Sequence, residues 1–250
     1  MKWPYARLWA LLATAFAVIM LLSTFDDLRI FGHQMAKVKT SPEVGGQAVR
    51  SVAVSEKNVA ATDTCKYTLL FVGDSMLEGL SPRLAAYAEE NGHSLYTVIW
   101  YGSTTEKWGA THKLRAYIEK IKPGYIVVCL GGNELFLRNV ERSRAAMVDS
   151  IIADIGGLPF VWIGPPNSTP HTAINPLIAG HGGNRHCFLS SHHRLDRASD
   201  GAHPTREAAA VWMDSVAAGS STKSVCPMRL DVPHKRSAKP VKTIVLTPDD

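Results

Sequence analysis

Between residues 66 and 219 the chain alternates short apolar runs with longer amphipathic stretches. Residues 67–72, 95–100, 125–130 and 159–163 are nearly continuous apolar runs of strand length. A helical pattern through Leu77, Leu80, Leu84, Ala85 and Tyr87 closes at Asn91-Gly92, and a second over 113–121 stops at Pro123-Gly124. A third over 135–155 closes at Gly156-Gly157, and a last one covers 206–218. Strands that are apolar on both faces and joined by helices require a parallel sheet covered on both sides. The pattern therefore predicts an α/β, doubly wound parallel sheet sandwich, with ligands at the carboxyl ends of the strands. Residues 164–199 exceed ordinary loop lengths, so they hold short helices or form a binding loop.

The N-terminal pattern differs. An apolar run from Leu8 to Phe25 is broken only by Thr14, Ser23 and Thr24, with Lys2 and Arg7 before it and Asp26-Asp27 after it. At about 1.5 Å per residue the run reaches roughly 27 Å, close to the hydrocarbon thickness of a bilayer. It lacks an Ala-x-Ala-like site, which favours a retained signal-anchor over a cleaved signal or a buried soluble helix. The basic flank sets the N-terminus inside and the remainder translocated. The expected organisation is an N-terminal transmembrane anchor over 1–27, a flexible tether over 28–64, a catalytic domain over 65–223 and a disordered, proline-bearing tail over 224–250. The expected location is the inner (cytoplasmic) membrane, single-pass, with the catalytic domain periplasmic or extracellular.

Composition narrows the function classes. With 46% hydrophobic and 20% charged residues, the 250-residue chain is of ordinary globular make-up and excludes wholly disordered, collagenous and multi-span membrane proteins. Four cysteines exclude a disulfide scaffold. The net charge of +5 is dispersed, with no basic block, so no nucleic-acid partner is expected.

The strand ends carry the candidate chemistry. The first runs into Gly73-Asp74-Ser75 with a helix directly behind it, which aims Ser75 at the active rim; the competing role for Ser75 is a plain helix cap. The second leads to Gly102, a residue that permits close backbone approach, and the third to Gly131-Gly132-Asn133-Glu134, a carboxamide donor at the same rim. Asp200-Gly-Ala-His203-Pro204 precedes the last helix, and that spacing lets the Asp200 carboxylate reach the His203 imidazole and leave Nε2 for a nucleophile.

These four blocks, in this order at successive strand ends, resemble the SGNH (GDSL-type) hydrolases over about residues 66–219. Ser75 matches the block I serine, Gly102 the block II glycine, Asn133 the block III asparagine, and Asp200 with His203 the block V Asp-x-x-His. Glu134 stands where the family usually has Asp, and block II lacks the frequent Asn before its glycine. The resemblance implies a flavodoxin-like three-layer sheet and a serine esterase. In it Ser75, Asp200 and His203 are catalytic, the oxyanion hole is formed by the Ser75 and Gly102 N–H groups and the Asn133 amide, and no metal or organic cofactor is needed.

His181, His186, Cys187, His192 and His193 crowd one loop but match no standard metal-ligand spacing. Cys129 falls in a strand as a packed thiol, and of Cys65, Cys187 and Cys226 any two could pair, Cys65 with Cys226 being preferred because both flank the sandwich. Trp100, Tyr101 and Trp108 lie at the rim and would suit pyranose faces. The expected substrate is an acylated carbohydrate or exopolysaccharide, foremost an O-acetyl ester. Alternatives are a polysaccharide O-acyltransferase using the same acyl-serine, a lipase or lysophospholipase, and a catalytically silent envelope scaffold binding glycan. Membrane contact is through the N-terminal helix, with envelope assembly proteins as further partners.

Overall fold

The computed structural model describes residues 14, 29–30, 33–34, 66–166, 174–181, 186–189, 195–222, 228 and 230–250. The chain divides into two compact units, 1–58 and 59–250. In the first, β1 (Arg29–Ile30) pairs antiparallel with β2 (His33–Gln34), a short ladder that the sequence pattern did not signal. The anchor expected over 1–27, most of the tether over 28–64 and the Cys65–Cys226 pair lie outside the described residues. Among the described residues no helix is long and apolar enough to cross a membrane.

The second unit is the expected sandwich. Its strands are β3 (Thr68–Gly73), β4 (Ser94–Trp100), β5 (Tyr125–Cys129), β6 (Phe160–Ile163), β7 (His186–Leu189) and β8 (Lys242–Leu246), in the order β7-β6-β5-β3-β4-β8. All five pairings are parallel. The order reverses at β3, where neighbouring crossovers leave on opposite faces and open a crevice at the strand ends. The helices are α1 (Leu77–Glu90), α2 (Thr105–Thr111), α3 (Lys113–Ile121), α4 (Val140–Ile155), α5 (Ile174–His181) and α6 (Arg206–Thr222).

Alternation along the central strands separates two cores. Leu69, Phe71, Val127 and Cys129 face Leu77, Leu80 and Leu84 of α1 and Trp212 and Met213 of α6. Leu70, Val72, Ile126 and Val128 face the other way, toward Trp108, Leu114, Val148, Ile151 and Ile174. This explains why the strands read as unbroken apolar runs rather than as alternating ones.

The 164–199 stretch holds a short helix, one of the two expected outcomes, and also a strand that was not expected, α5 and β7. α2 was missed because Thr-Glu-Lys-Trp-Gly-Ala-Thr has one large apolar residue and no repeat; Thr104 caps it by accepting from the Lys107 N–H. The described part of 224–250 is ordered rather than a disordered tail. Met228 and Leu230 are buried in the first core, Asn91 and Asp231 exchange hydrogen bonds, and β8 extends the sheet beyond β4. A five-residue strand with few core residues satisfies its backbone on an edge that already exists, so it needs little hydrophobic pattern of its own.

Candidate active site

The site begins with a tight turn at the end of β3. A Cβ on Gly73 would lie 2.0 Å from the Cys129 carbonyl oxygen, so only glycine lets β3 pass this close to β5. The Asp74 N–H then donates to that carbonyl at 3.2 Å. Asp74 turns inward, and its Oδ1 accepts the Met76 N–H at 3.0 Å. The helix has no side-chain cap, and the Ser75 hydroxyl bonds His203 instead of the first turn.

Ser75 Oγ–H donates to His203 Nε2 at 2.7 Å, and His203 Nδ1–H donates to Asp200 Oδ2 at 2.7 Å. The loop that delivers this pair is a small hairpin. Ala198 N–H donates to the His203 carbonyl at 2.9 Å, Arg197 bridges Pro204 antiparallel, and Gly201 takes the positive φ of +68° that the turn needs. Asp200 Oδ1 also accepts the Ala202 and His203 N–H groups, at 2.9 and 3.0 Å. The His203 imidazole, followed by these two N–H groups, holds the Asp200 carboxyl down at about 2, so it stays an acceptor at any physiological pH.

The turns after β4 and β5 carry the candidate donors. Asn133 sits in a 3-10 turn (Gly132–Glu134) after β5, and its Nδ2 donates one proton to the Ser103 carbonyl at 2.8 Å, leaving the second unused among the described residues. Gly102 has a φ of +63°, and its N–H and that of Ser75 have no hydrogen-bond acceptor among the described residues. All five residues singled out from the sequence therefore stand at the strand ends, with Ser75, His203 and Asp200 in one hydrogen-bonded chain.

The aromatic rim is not as expected. Trp100 and Trp108 are buried at 2% and 0% exposure and pack edge to face at 5.4 Å, so they belong to the core. Tyr101 alone stays partly exposed, its hydroxyl donating to Glu78 at 3.1 Å. The histidine-rich loop lies partly outside the described residues, and His181 Nδ1 is paired with Asp149 at 2.7 Å. Among the described residues no group of three histidine, cysteine or acidic side chains is placed to hold a metal.

Two features were not anticipated from the sequence. Burial is the main force on Asp74 and pushes its carboxyl up to about 6; the Met76 and Gly132 N–H groups favour the ionised form, the latter through its field, because Oδ2 makes no hydrogen bond of good geometry. Secondly, a groove of about 1050 Å³ runs from Ser75 and His203 between α1 and α6 to residues 236–239. The wall at its far end is fastened by Arg83, which donates to the Lys235 and Arg236 carbonyls at 2.8 and 3.3 Å and pairs with Asp214 at 2.6 Å. No sequence motif marks this contact, because it joins residues more than 150 positions apart.

No protein-family model and no curated protein matches the chain. Solved structures do. A protein of the G-D-S-L family from Desulfitobacterium hafniense DCB-2 is 10% identical with a TM-score of 0.49, covering 60% of this chain and 97% of that one. The psychrotrophic esterase EstA from a Pseudoalteromonas species is 19% identical with a TM-score of 0.46, covering 60% and 93%. The Clostridium thermocellum family 3 carbohydrate esterase is 18% identical with a TM-score of 0.48, covering 60% and 94%. By their names, these structural neighbours of the α/β domain are one G-D-S-L family protein and two esterases.

Proposed function

We propose that the chain is an exported, membrane-held serine esterase that removes O-acyl groups, foremost O-acetyl, from a carbohydrate. The observation that carries this reading is the unbroken Ser75–His203–Asp200 chain, 2.7 Å at each link, together with Ser75 and Gly102 N–H groups that have no acceptor among the described residues. Ser75 Oγ attacks the ester carbonyl while His203 Nε2 takes its proton, and the same nitrogen later protonates the leaving alcohol. Asp200 holds the ring in the required tautomer and stabilises the imidazolium. The Ser75 and Gly102 N–H groups and the second Asn133 amide proton meet the developing oxyanion. Water, activated by His203, then releases the acyl group.

The groove is lined by Gly79, Pro82 and Ala210 and by Glu78, Arg206 and Glu207, whose charged groups can bond the hydroxyls of a sugar. Anchoring in the inner membrane rests on the Leu8–Phe25 run and its flanks. A polysaccharide O-acyltransferase would use the same acyl-serine, with a sugar hydroxyl in place of water.

The test is turnover of p-nitrophenyl acetate and acetylated glycans by wild type and Ser75→Ala, with labelling by a serine-reactive phosphonate. Wild type should turn over and be labelled once at Ser75, and Ser75→Ala should do neither while keeping its Tm within a few degrees. A folded wild type that is inert to ester and phosphonate would favour a silent scaffold. Acyl transfer to added sugar in preference to water would favour the transferase.

A further inference from the structure

Glu134 follows Asn133 directly, yet it points away from the rim and is only 2% exposed. Its Oε2 accepts the Thr105 N–H at 3.0 Å, and its Oε1 accepts the Thr105 hydroxyl at 2.7 Å and Arg144 Nε–H at 2.6 Å. Arg144 comes from α4 and also reaches Glu106 at 2.8 Å. One buried carboxylate thus ties three separate elements together: the turn that carries Asn133, the start of α2 and α4. Thr105 opens α2 three residues after Gly102, and between them Ser103, fully buried, accepts Asn133 Nδ2–H at its carbonyl and Trp108 Nε1–H at its hydroxyl. The loop with the Gly102 N–H and the turn with the Asn133 amide are therefore cross-linked twice, once through Asn133 itself and once behind it through Glu134.

We infer that Glu134 is a positioning residue that sets the spacing between the Gly102 N–H and the Asn133 amide, so that both converge on one developing oxyanion. The inference rests on the esterase reading. A buried carboxylate between a backbone N–H, a hydroxyl and a guanidinium accepts from all three, whereas glutamine must turn its own NH₂ toward one of these donors. In Glu134→Gln one contact of the clamp is therefore replaced by a donor facing a donor, and the two loops separate there. The change does not touch Ser75, His203 or Asp200.

The experiment is a double-mutant cycle in the full chain with p-nitrophenyl acetate as substrate. Glu134→Gln should lower kcat about 10- to 100-fold, as a misplaced oxyanion donor does, with KM moving less than about twofold. The midpoint of the pH–rate profile should stay at the parent value. On an Asn133→Ala background the same change should cost less than about threefold, because the donor it positions is gone, whereas on Asp200→Asn it should keep its full factor. Equal losses on the parent and Asn133→Ala backgrounds, or a lowered Tm with unchanged kcat, overturn the inference. Should Glu134→Gln fail to fold, Thr105→Val removes one bond of the clamp without stranding a charge. It should lower kcat about 3- to 10-fold in the parent and not in Asn133→Ala, and undiminished kcat overturns the inference. A folded wild type inert to both ester and phosphonate removes the esterase reading itself; an active wild type with additive losses removes this inference alone.

Discussion

Asp74 offers a stability prediction that is independent of catalysis. Its carboxyl is 1% exposed, and burial raises it from 3.8 to about 6. The folded state therefore holds a proton between about pH 4 and pH 6 that the unfolded chain has already lost. Asp74's contribution to stability is complete below about pH 4 and is lost as pH rises through 6. The shift is about 2 pKa units, and at about 1.4 kcal/mol per unit the loss is about 3 kcal/mol by pH 8. Asp74→Asn cannot ionise and keeps an oxygen for the Met76 N–H. Its Nδ2 needs an acceptor, a pH-independent cost of about 1–3 kcal/mol that moves the whole curve without tilting it. Equilibrium urea unfolding of both proteins, followed by the fluorescence of buried Trp100, Trp108, Trp162 and Trp212, is the assay. The difference in unfolding free energy, variant minus wild type, should climb by about 3 kcal/mol between pH 4 and pH 8. Curves that stay parallel within about 1 kcal/mol would refute the claim that burial governs this carboxyl.

Other outcomes follow from the same geometry. Asn133→Ala should lower kcat about 10²- to 10³-fold with little change in KM, since the amide is needed when charge develops on the carbonyl oxygen; unchanged kcat removes it from the oxyanion site. Gly102→Ala meets no atom within 4 Å, so its cost is that of a side chain at a φ of +63°, about 1–2 kcal/mol in thermal unfolding, with a smaller kcat loss than Asn133→Ala. Deleting 228–250 should lower stability sharply and promote association, because it strips β8 from the edge of β4 and uncovers the Trp100 indole N–H, which donates to the Thr247 carbonyl at 2.6 Å; a deletion variant as stable as the parent would return the arm to a dispensable tail. Arg236→Glu with Lys239→Glu should raise KM for polymeric acetylated glycan and leave p-nitrophenyl acetate kinetics unchanged, because both residues line the far end of the groove; equal effects on both substrates would remove the groove from substrate binding.

The fold class was legible in the sequence because burial on both faces of a parallel sheet leaves a local signature. Leu69 to Val72 and Ile126 to Val128 are apolar at every position since each points into one of two cores. The hydrogen-bonded chain of Ser75, His203 and Asp200 joins residues that the sequence already singled out, because each lies beside a strand end or a helix start, where local chain geometry restricts its direction. Contacts between distant segments were not legible. Trp100 and Trp108 read as rim aromatics because position relative to a strand end says nothing of what packs over it, and Tyr101 beside them is the one left partly exposed. The C-terminal arm read as disordered because its order comes from partners it does not carry: the free edge of β4, the Asn91 side chain and the Arg83 guanidinium. Asp74 and Glu134 look in sequence like ordinary polar neighbours of Ser75 and Asn133. Only the tertiary structure buries them, and burial turns one into a carboxyl that resists ionising and the other into a tie between two loops, because a charge out of water is held in place by whatever solvates it.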